Sequence, residues 1–230
     1  MTDVSNVQPI PDGVSFEVGC LYEPLACAAW AAKRMDVDIG DTVAVNGVGF
    51  AGNVLLQGAV AAGASTVVAV DVVDRKLSIA EDLGADVTVN AAEEDPVERV
   101  DEATDGLGVD VAVEAAGGTG QCIKQADDMV AHNGTLALYG DNYAPVDDFC
   151  FHKFHEDALD VQNLAPMHYT KLREVEHARE AYCTVARDVF DLDVVLEHSD
   201  RYDLAELPAV FEREASSPEA QESLKTIITP

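Results

Sequence analysis

The sequence predicts an α/β fold: a Rossmann-type, doubly wound parallel sheet with helices on both faces. Three observations carry the prediction. Short runs rich in Val and Ala alternate with stretches of helical length from residue 42 to about residue 140. A glycine turn, Gly47-Val-Gly49-Phe-Ala-Gly52, separates the first such run from the helix after it. The next run, Thr66-Val-Val-Ala-Val-Asp71, ends on an acid. Strands spaced by helices mean parallel pairing through right-handed crossovers, and buried parallel strands are apolar on both sides.

In chain order, residues 1–14 read as loop and strand ends, because Pro9, Pro11 and Gly13 interrupt them. A helix is expected over 15–35, with Ser15 as N-cap and Leu21, Leu25, Ala28, Ala29 and Ala32 as its packing residues. Strand 42–46, the glycine turn, an apolar helix and strand 66–71 follow. Helix 74–83 closes on Gly84, strand 86–89 is short, and Pro96 opens helix 96–104. Strand 109–115 is apolar apart from Asp110 and Glu114. Helix 119–130 is expected to start on Thr119 and to be stopped by Gly134, before strand 135–139. Beyond 142 the pattern loosens. An edge strand fits 158–162, a long helix 168–189, and short strands at 194–197 and 224–228 flank a helix at 203–215. The implied division is 1–14, a Rossmann domain over 15–165 with its leading helix 15–35, and a C-terminal part over 166–230.

The stretch from 42 to 71 has the parts a dinucleotide needs. Gly47 permits the tight turn, Gly49 lets a diphosphate approach the backbone, and Gly52 brings the helix close to the strand. The N–H groups of Phe50 and Ala51 lie at the helix start, where the dipole favours phosphate. Asp71, nineteen residues after Gly52, is placed to accept both ribose hydroxyls of an adenosine. A carboxylate there also repels a 2′-phosphate, which favours NAD over NADP. Arg75 and Lys76 either flank that ribose or are solvated helix charges. The loops after the later strands, Ala115-Ala116-Gly117 and Tyr139-Gly140-Asp141, should meet the glycine turn beyond the carboxyl ends of the strands. The first is expected on the adenine side and the second at the nicotinamide. Two alternatives stay open: glycines that serve packing alone, and a methyltransferase using S-adenosylmethionine.

The chain of 230 residues has 43 acids against 14 bases, a net charge of −29. Such a surface repels nucleic acid and anionic membranes. The acids are spread rather than gathered in a tail, as in proteins of salt-loving organisms. Five cysteines and no CxxC point to reduced, mostly buried thiols in the cytoplasm. No signal peptide and no membrane-length apolar run is visible.

Several motifs together resemble the zinc-type medium-chain dehydrogenases: Tyr22-Glu-Pro-Leu-Ala-Cys-Ala28, Gly40 to Gly52, Leu83-Gly-Ala-Asp86, Gly106 to Gly117, and Lys225-Thr-Ile-Ile-Thr-Pro230. The Glu23-Pro24 pair points to the polyol, threonine and sugar dehydrogenase branch. The resemblance covers about residues 8 to 230 and implies hydride transfer between NAD and a secondary alcohol. It also implies an N-terminal, GroES-like domain carrying the catalytic zinc, of which the two chain ends here would be a small remnant. Glu23 alone sits where the family places a residue at or near that zinc. One carboxylate cannot build a site that needs three protein ligands, so zinc binding by this chain is not expected. Little activity is expected of the chain alone. A non-catalytic module is the alternative, pairing with a separate catalytic domain or a full-length relative. The family's dimerisation through the edge of the cofactor-domain sheet would fall here near 142–162. Cys150-Phe-His152-Lys-Phe-His155-Glu156 has metal-ligand residue types. On a strand, however, Cys150 and His152 would face one way and His155 the other. His168, His177 and His198 read as surface or packing residues.

Overall fold

The computed structural model describes residues 9–10, 12–118, 120–143, 145–146, 150–165, 189–216 and 222–230. The expected helix over 168–189 lies outside the described residues except for Val189, and so do Thr119, His168, His177 and Cys183.

Six parallel strands form the sheet: β1 Thr42–Asn46, β2 Thr66–Asp71, β3 Val87–Asn90, β4 Val109–Glu114, β5 Val130–Leu138 and β6 Asp160–Asn163. Their order is β3-β2-β1-β4-β5-β6. The chain therefore runs outward from β1 to β3, returns beside β1 as β4, and runs outward again. Strand order reverses between β1 and β4, and a crevice opens above their carboxyl ends.

Alternate strand residues feed two cores. Val43, Val45, Val67, Ala69, Val111 and Val113 face one side. There they meet α2 Tyr22–Ala32, α3 Phe50–Ala62 and α4 Asp74–Asp82. Ala44, Val68, Val70, Val89 and Ala112 face the other side, against α5 Pro96–Ala103 and α6 Gln121–Met129. Burial on both faces explains why these strands carry so few polar residues. The expected Rossmann architecture is the one observed.

The leading helix is not continuous. It divides into α1 Phe16–Cys20 and α2, with Leu21 between them at φ −84°, ψ 0°. Pro24 is the reason. In an unbroken helix its ring would strike the carbonyl of Cys20, and it has no N–H to give that carbonyl. Placed in the first turn of α2, it breaks nothing. Ser15 caps α1 as expected, its hydroxyl accepting from Val18 N–H at 3.2 Å.

The helix before β5 ends at Met129, five residues ahead of Gly134, so glycine is not its stop. Val130 is already extended and pairs with Val109 before the register shifts and Val111 meets Thr135. Gly134 is needed for another reason: a Cβ there would lie 2.9 Å from the carbonyl oxygens of Asp110 and Ala131.

The stretch 194–197 is helical, not a strand. After α7 Phe151–Glu156, helix α8 spans Leu192–Glu197, capped by Asp191, which accepts from Val194 N–H at 3.0 Å. Leu192, Val195 and Leu196 are buried, at the i, i+3, i+4 spacing of one helix face. The strand lies just after it: β7 Asp200–Asp203 pairs in parallel with β8 Thr226–Thr229. Helix α9, Leu207–Ser216, lies between them in sequence. Arg201 reaches Glu17 at 3.1 Å, joining β7 to α1.

The thiols are also not where composition put them. Cys20 and Cys150 are exposed, and Cys27 and Cys122 are half-buried. Cys20 ends α1, Cys27 lies on α2 beside Glu23, Cys122 lies in the first turn of α6, and Cys150 precedes the helix at Phe151–Glu156. Among the described residues no helix is long and apolar enough to cross a membrane.

Candidate functional site

Strand β1 delivers the chain to Gly47, whose φ of +95° belongs to the left-handed region. Gly47 N–H donates to Val70 O at 2.7 Å, so the turn leans on β2. A Cβ on Gly47 would lie 2.6 Å from Ala116 N, and one on Gly52 would lie 1.9 Å from Gly47 O. Both positions are closed to any side chain. Gly49 is the opposite: it caps α3 at φ −65°, and a Cβ there would meet nothing within 4 Å. The space above the helix N-terminus is therefore open.

Asp71 stands at the end of β2. Its Oδ2 accepts from Val48 N–H at 3.0 Å, and its Oδ1 accepts from Val72 and Val73 N–H at 2.8 and 3.1 Å. A carboxylate has roughly four acceptor positions, so one remains, on Oδ2. Asn53 secures the loop from below. It is fully buried, and its Nδ2 donates to Val48 O at 2.5 Å and Gly49 O at 3.2 Å. This residue was not singled out from sequence, although an amide inside so apolar a helix was the available signal.

Two cavities flank the switch point and share Ala116. The smaller, about 230 Å3, is lined by Asn46, Gly47, Asp71, Ala91, Cys122 and Gln125 among others. Asn46 ties β1 to α6, donating to Cys122 O at 3.2 Å and Gln125 Oε1 at 3.3 Å. The larger, about 790 Å3, is lined by Glu23, Cys27, Ala115, Ala116, Tyr139, Gly140 and Asp141 among others. Of the residues expected at the site, Phe50 turns its ring into the core, where it is 5% exposed. It offers the loop only its backbone. Ala51 is half-buried beside it and packs on the same core. Lys76 is half-buried and lines neither cavity, and Arg75 is exposed.

The structure adds two residues. Glu114, at the end of β4, is fully buried. Its Oε1 accepts from Gly117 N–H at 2.6 Å and its Oε2 from Asn142 Nδ2 at 2.8 Å. Its carbonyl accepts from Tyr139 and Gly140 N–H. One side chain thus holds the loops after β4 and β5 together. Lys225 is the other, with Nζ 5.0 Å from the centre of the Phe50 ring at the first residue of α3. It brings a cation against the first residue of α3 from the far end of the chain.

Burial first, then Cys27 and Glu23, push the Tyr139 phenol up to about 12. Burial, then Glu114 and Asp71, push the Cys122 thiol up.

Glu23 is exposed in the first turn of α2, and Cys27 Sγ donates to its Oε1 at 3.4 Å. No group of three or more His, Cys, Asp or Glu gathers among the described residues. Their donor set therefore does not fit a catalytic zinc, which needs three protein ligands. The Cys150–Glu156 stretch is not a strand: Phe151–Glu156 is helical. His152 Nε2 contacts Glu156 Oε1 at 3.1 Å, and the rings of His152 and His155 stack 6.5 Å apart.

The family profile described as Zinc-binding dehydrogenase matches residues 51–174. Sorbitol dehydrogenase of Bacillus subtilis strain 168 is 35% identical over 131 residues, which are 57% of this chain and 37% of that protein. The chain thus spans well under two thirds of the curated relatives it matches. The alcohol dehydrogenase TADH from Thermus sp. ATN1 superposes with a TM-score of 0.81 at 26% identity, over 97% of this chain and 61% of that one. A zinc-binding dehydrogenase from Sinorhizobium meliloti 1021, solved bound to NADP, superposes at 0.79 with 26% identity, over 96% of this chain and 61% of that one.

Proposed function

The chain belongs to the zinc-binding dehydrogenase family, and on that premise we propose that it is the NAD(H)-binding part of a zinc-type alcohol or polyol dehydrogenase. One observation carries the reading: the open Gly49 stands beside an Asp71 carboxylate that the loop itself holds in place. The α3 N-terminus and Lys225 offer positive potential to a diphosphate. The remaining position on Asp71 Oδ2 suits one hydroxyl of the adenosine ribose. A 2′-phosphate would meet the same carboxylate, and no Lys or Arg is among the described residues lining the smaller cavity, so NAD is favoured over NADP. The nicotinamide ring, when bound, supplies or takes the hydride. The chain's own part is to orient that ring toward the larger cavity, between the loops that Glu114 joins.

Because the described residues do not assemble three zinc ligands, slow alcohol turnover is proposed for the chain alone. Calorimetric titration with NADH and NADPH tests the binding. Saturable NADH binding, with NADPH weaker, is expected. No binding by either overturns the reading. Steady alcohol oxidation with stoichiometric zinc would overturn the low activity.

A second reading, an assembly module that pairs with a separate catalytic domain or a full-length relative, is favoured by β6. Among the described residues no strand pairs with its outer edge, and Val161 on it is 50% exposed. A monomer by sedimentation in molar salt counts against it. Neither nucleic acid nor a membrane surface suits a charge of −29.

A further inference from the structure

We infer that the larger cavity selects the oxidised, cationic nicotinamide ring over the reduced, neutral one, so that the chain holds NAD+ in preference to NADH. The inference rests on the dinucleotide reading above and goes beyond it to the redox state of the ligand.

The cavity walls carry Glu23 and Asp141, and no Lys, Arg or His is among the described residues lining it. A third carboxylate lies under the floor. Glu114 is 0% exposed and is held by two neutral donors, Gly117 N–H and Asn142 Nδ2, rather than by a cation. Glycine backbone lies close over it: a Cβ on Gly140 would lie 2.6 Å from Glu114 Oε2. Its charge therefore acts at the cavity across a thin, low-dielectric layer, where screening by water and salt is weak. One group on the wall of this cavity feels one of these carboxylates. Glu23 contributes to the upward shift of Tyr139, behind burial and Cys27.

NAD+ and NADH share every group outside the ring, and the ring alone changes its charge, from +1 to 0. The ratio of their affinities thus reads the potential at the ring, free of contributions from the diphosphate and adenosine. Linkage makes the consequence reciprocal: a site that binds NAD+ more tightly makes the bound cofactor harder to reduce. On this basis the site draws the bound couple toward NAD+, and oxidation of an alcohol goes forward there only while NADH is removed.

The test is calorimetric titration of the full chain with ADP-ribose, NAD+ and NADH. Tighter binding of NAD+ than of NADH is expected. In the double variant Glu23→Gln, Asp141→Asn the ratio of the two affinities should move toward NADH by about 5- to 10-fold, the weight of unit charges several ångströms away at an intermediate dielectric. The ADP-ribose affinity should stay unchanged, because that ligand lacks the ring. Glu114→Gln should move the ratio the same way; if it does not melt cooperatively, the double variant decides. NADH binding as tightly as NAD+, or a ratio that the double variant leaves alone, overturns the inference while ADP-ribose binding keeps the dinucleotide reading standing. Absence of binding by all three ligands overturns both.

Discussion

A Cβ at Gly52 would fall 1.9 Å from the Gly47 carbonyl oxygen, while one at Gly49 would meet no atom within 4 Å. Gly52→Ala should therefore cost about 2–3 kcal/mol or prevent folding, since backbone cannot retreat as a flexible side chain can. Gly49 has φ −65°, which any residue adopts. Gly49→Val should leave the protein folded, at a cost of no more than about 1 kcal/mol for a poorer N-cap. It should also weaken NADH by at least about tenfold, 1.4 kcal/mol, by filling the space a diphosphate would occupy. Thermal melts and NADH titration of the two variants separate packing glycine from binding glycine. The loop glycines and Asp71 were legible because their spacing is local. Glu114 and Lys225 were not. Glu114 passed as an interruption of a strand, and its meaning depends on Asn142 and Gly140, which only the sheet brings to it.

At the level of elements, capping decides where helices begin. Asp95 accepts from Val97 N–H at 2.9 Å and precedes Pro96 at the start of α5; Asp191 does the same for Val194 at the start of α8. Asp95→Ala and Asp191→Ala should each lower stability by about 1 kcal/mol, read as a reduced urea midpoint with an unchanged slope. The strands of the sheet were readable from their apolar runs, within a residue or two at most ends. At 194–197 the β-forming residues Val194 and Val195 stand against the helical spacing of Leu192, Val195 and Leu196. Packing of that face against the core overrode a propensity worth only tenths of a kcal/mol. The break at Leu21 was readable too, since Pro24 cannot sit more than one turn into a helix.

For the molecule as a whole, 43 acids against 14 bases make self-repulsion a standing cost. Screening shortens from about 10 Å at 0.1 M salt to about 3 Å at 1 M. The melting temperature should therefore climb steadily between dilute buffer and molar potassium chloride. A flat or falling curve would show that the acids do not strain the fold. The order of strands is also a property of this scale. Crossovers are right-handed and neighbours in sequence pair most often, which accounts for β1-β2-β3 and β4-β5-β6. The reversal that places β4 beside β1, and with it the loop after β4 beside the glycine turn, follows from covering both apolar faces of one sheet.

Patterning along the chain was enough for the sheet, the glycine turn, the acid closing β2 and the charge of the surface. Each depends on near neighbours: periodicity, turn chemistry, a count of ionised groups. Folding alone assigned the loop-joining role of Glu114, the cation that Lys225 lends to the start of α3, the two cavities meeting at Ala116 and the exposure of the thiols. Those arise between residues tens to hundreds of positions apart, whose approach is set by which faces must leave water together and cannot be inferred from spacing.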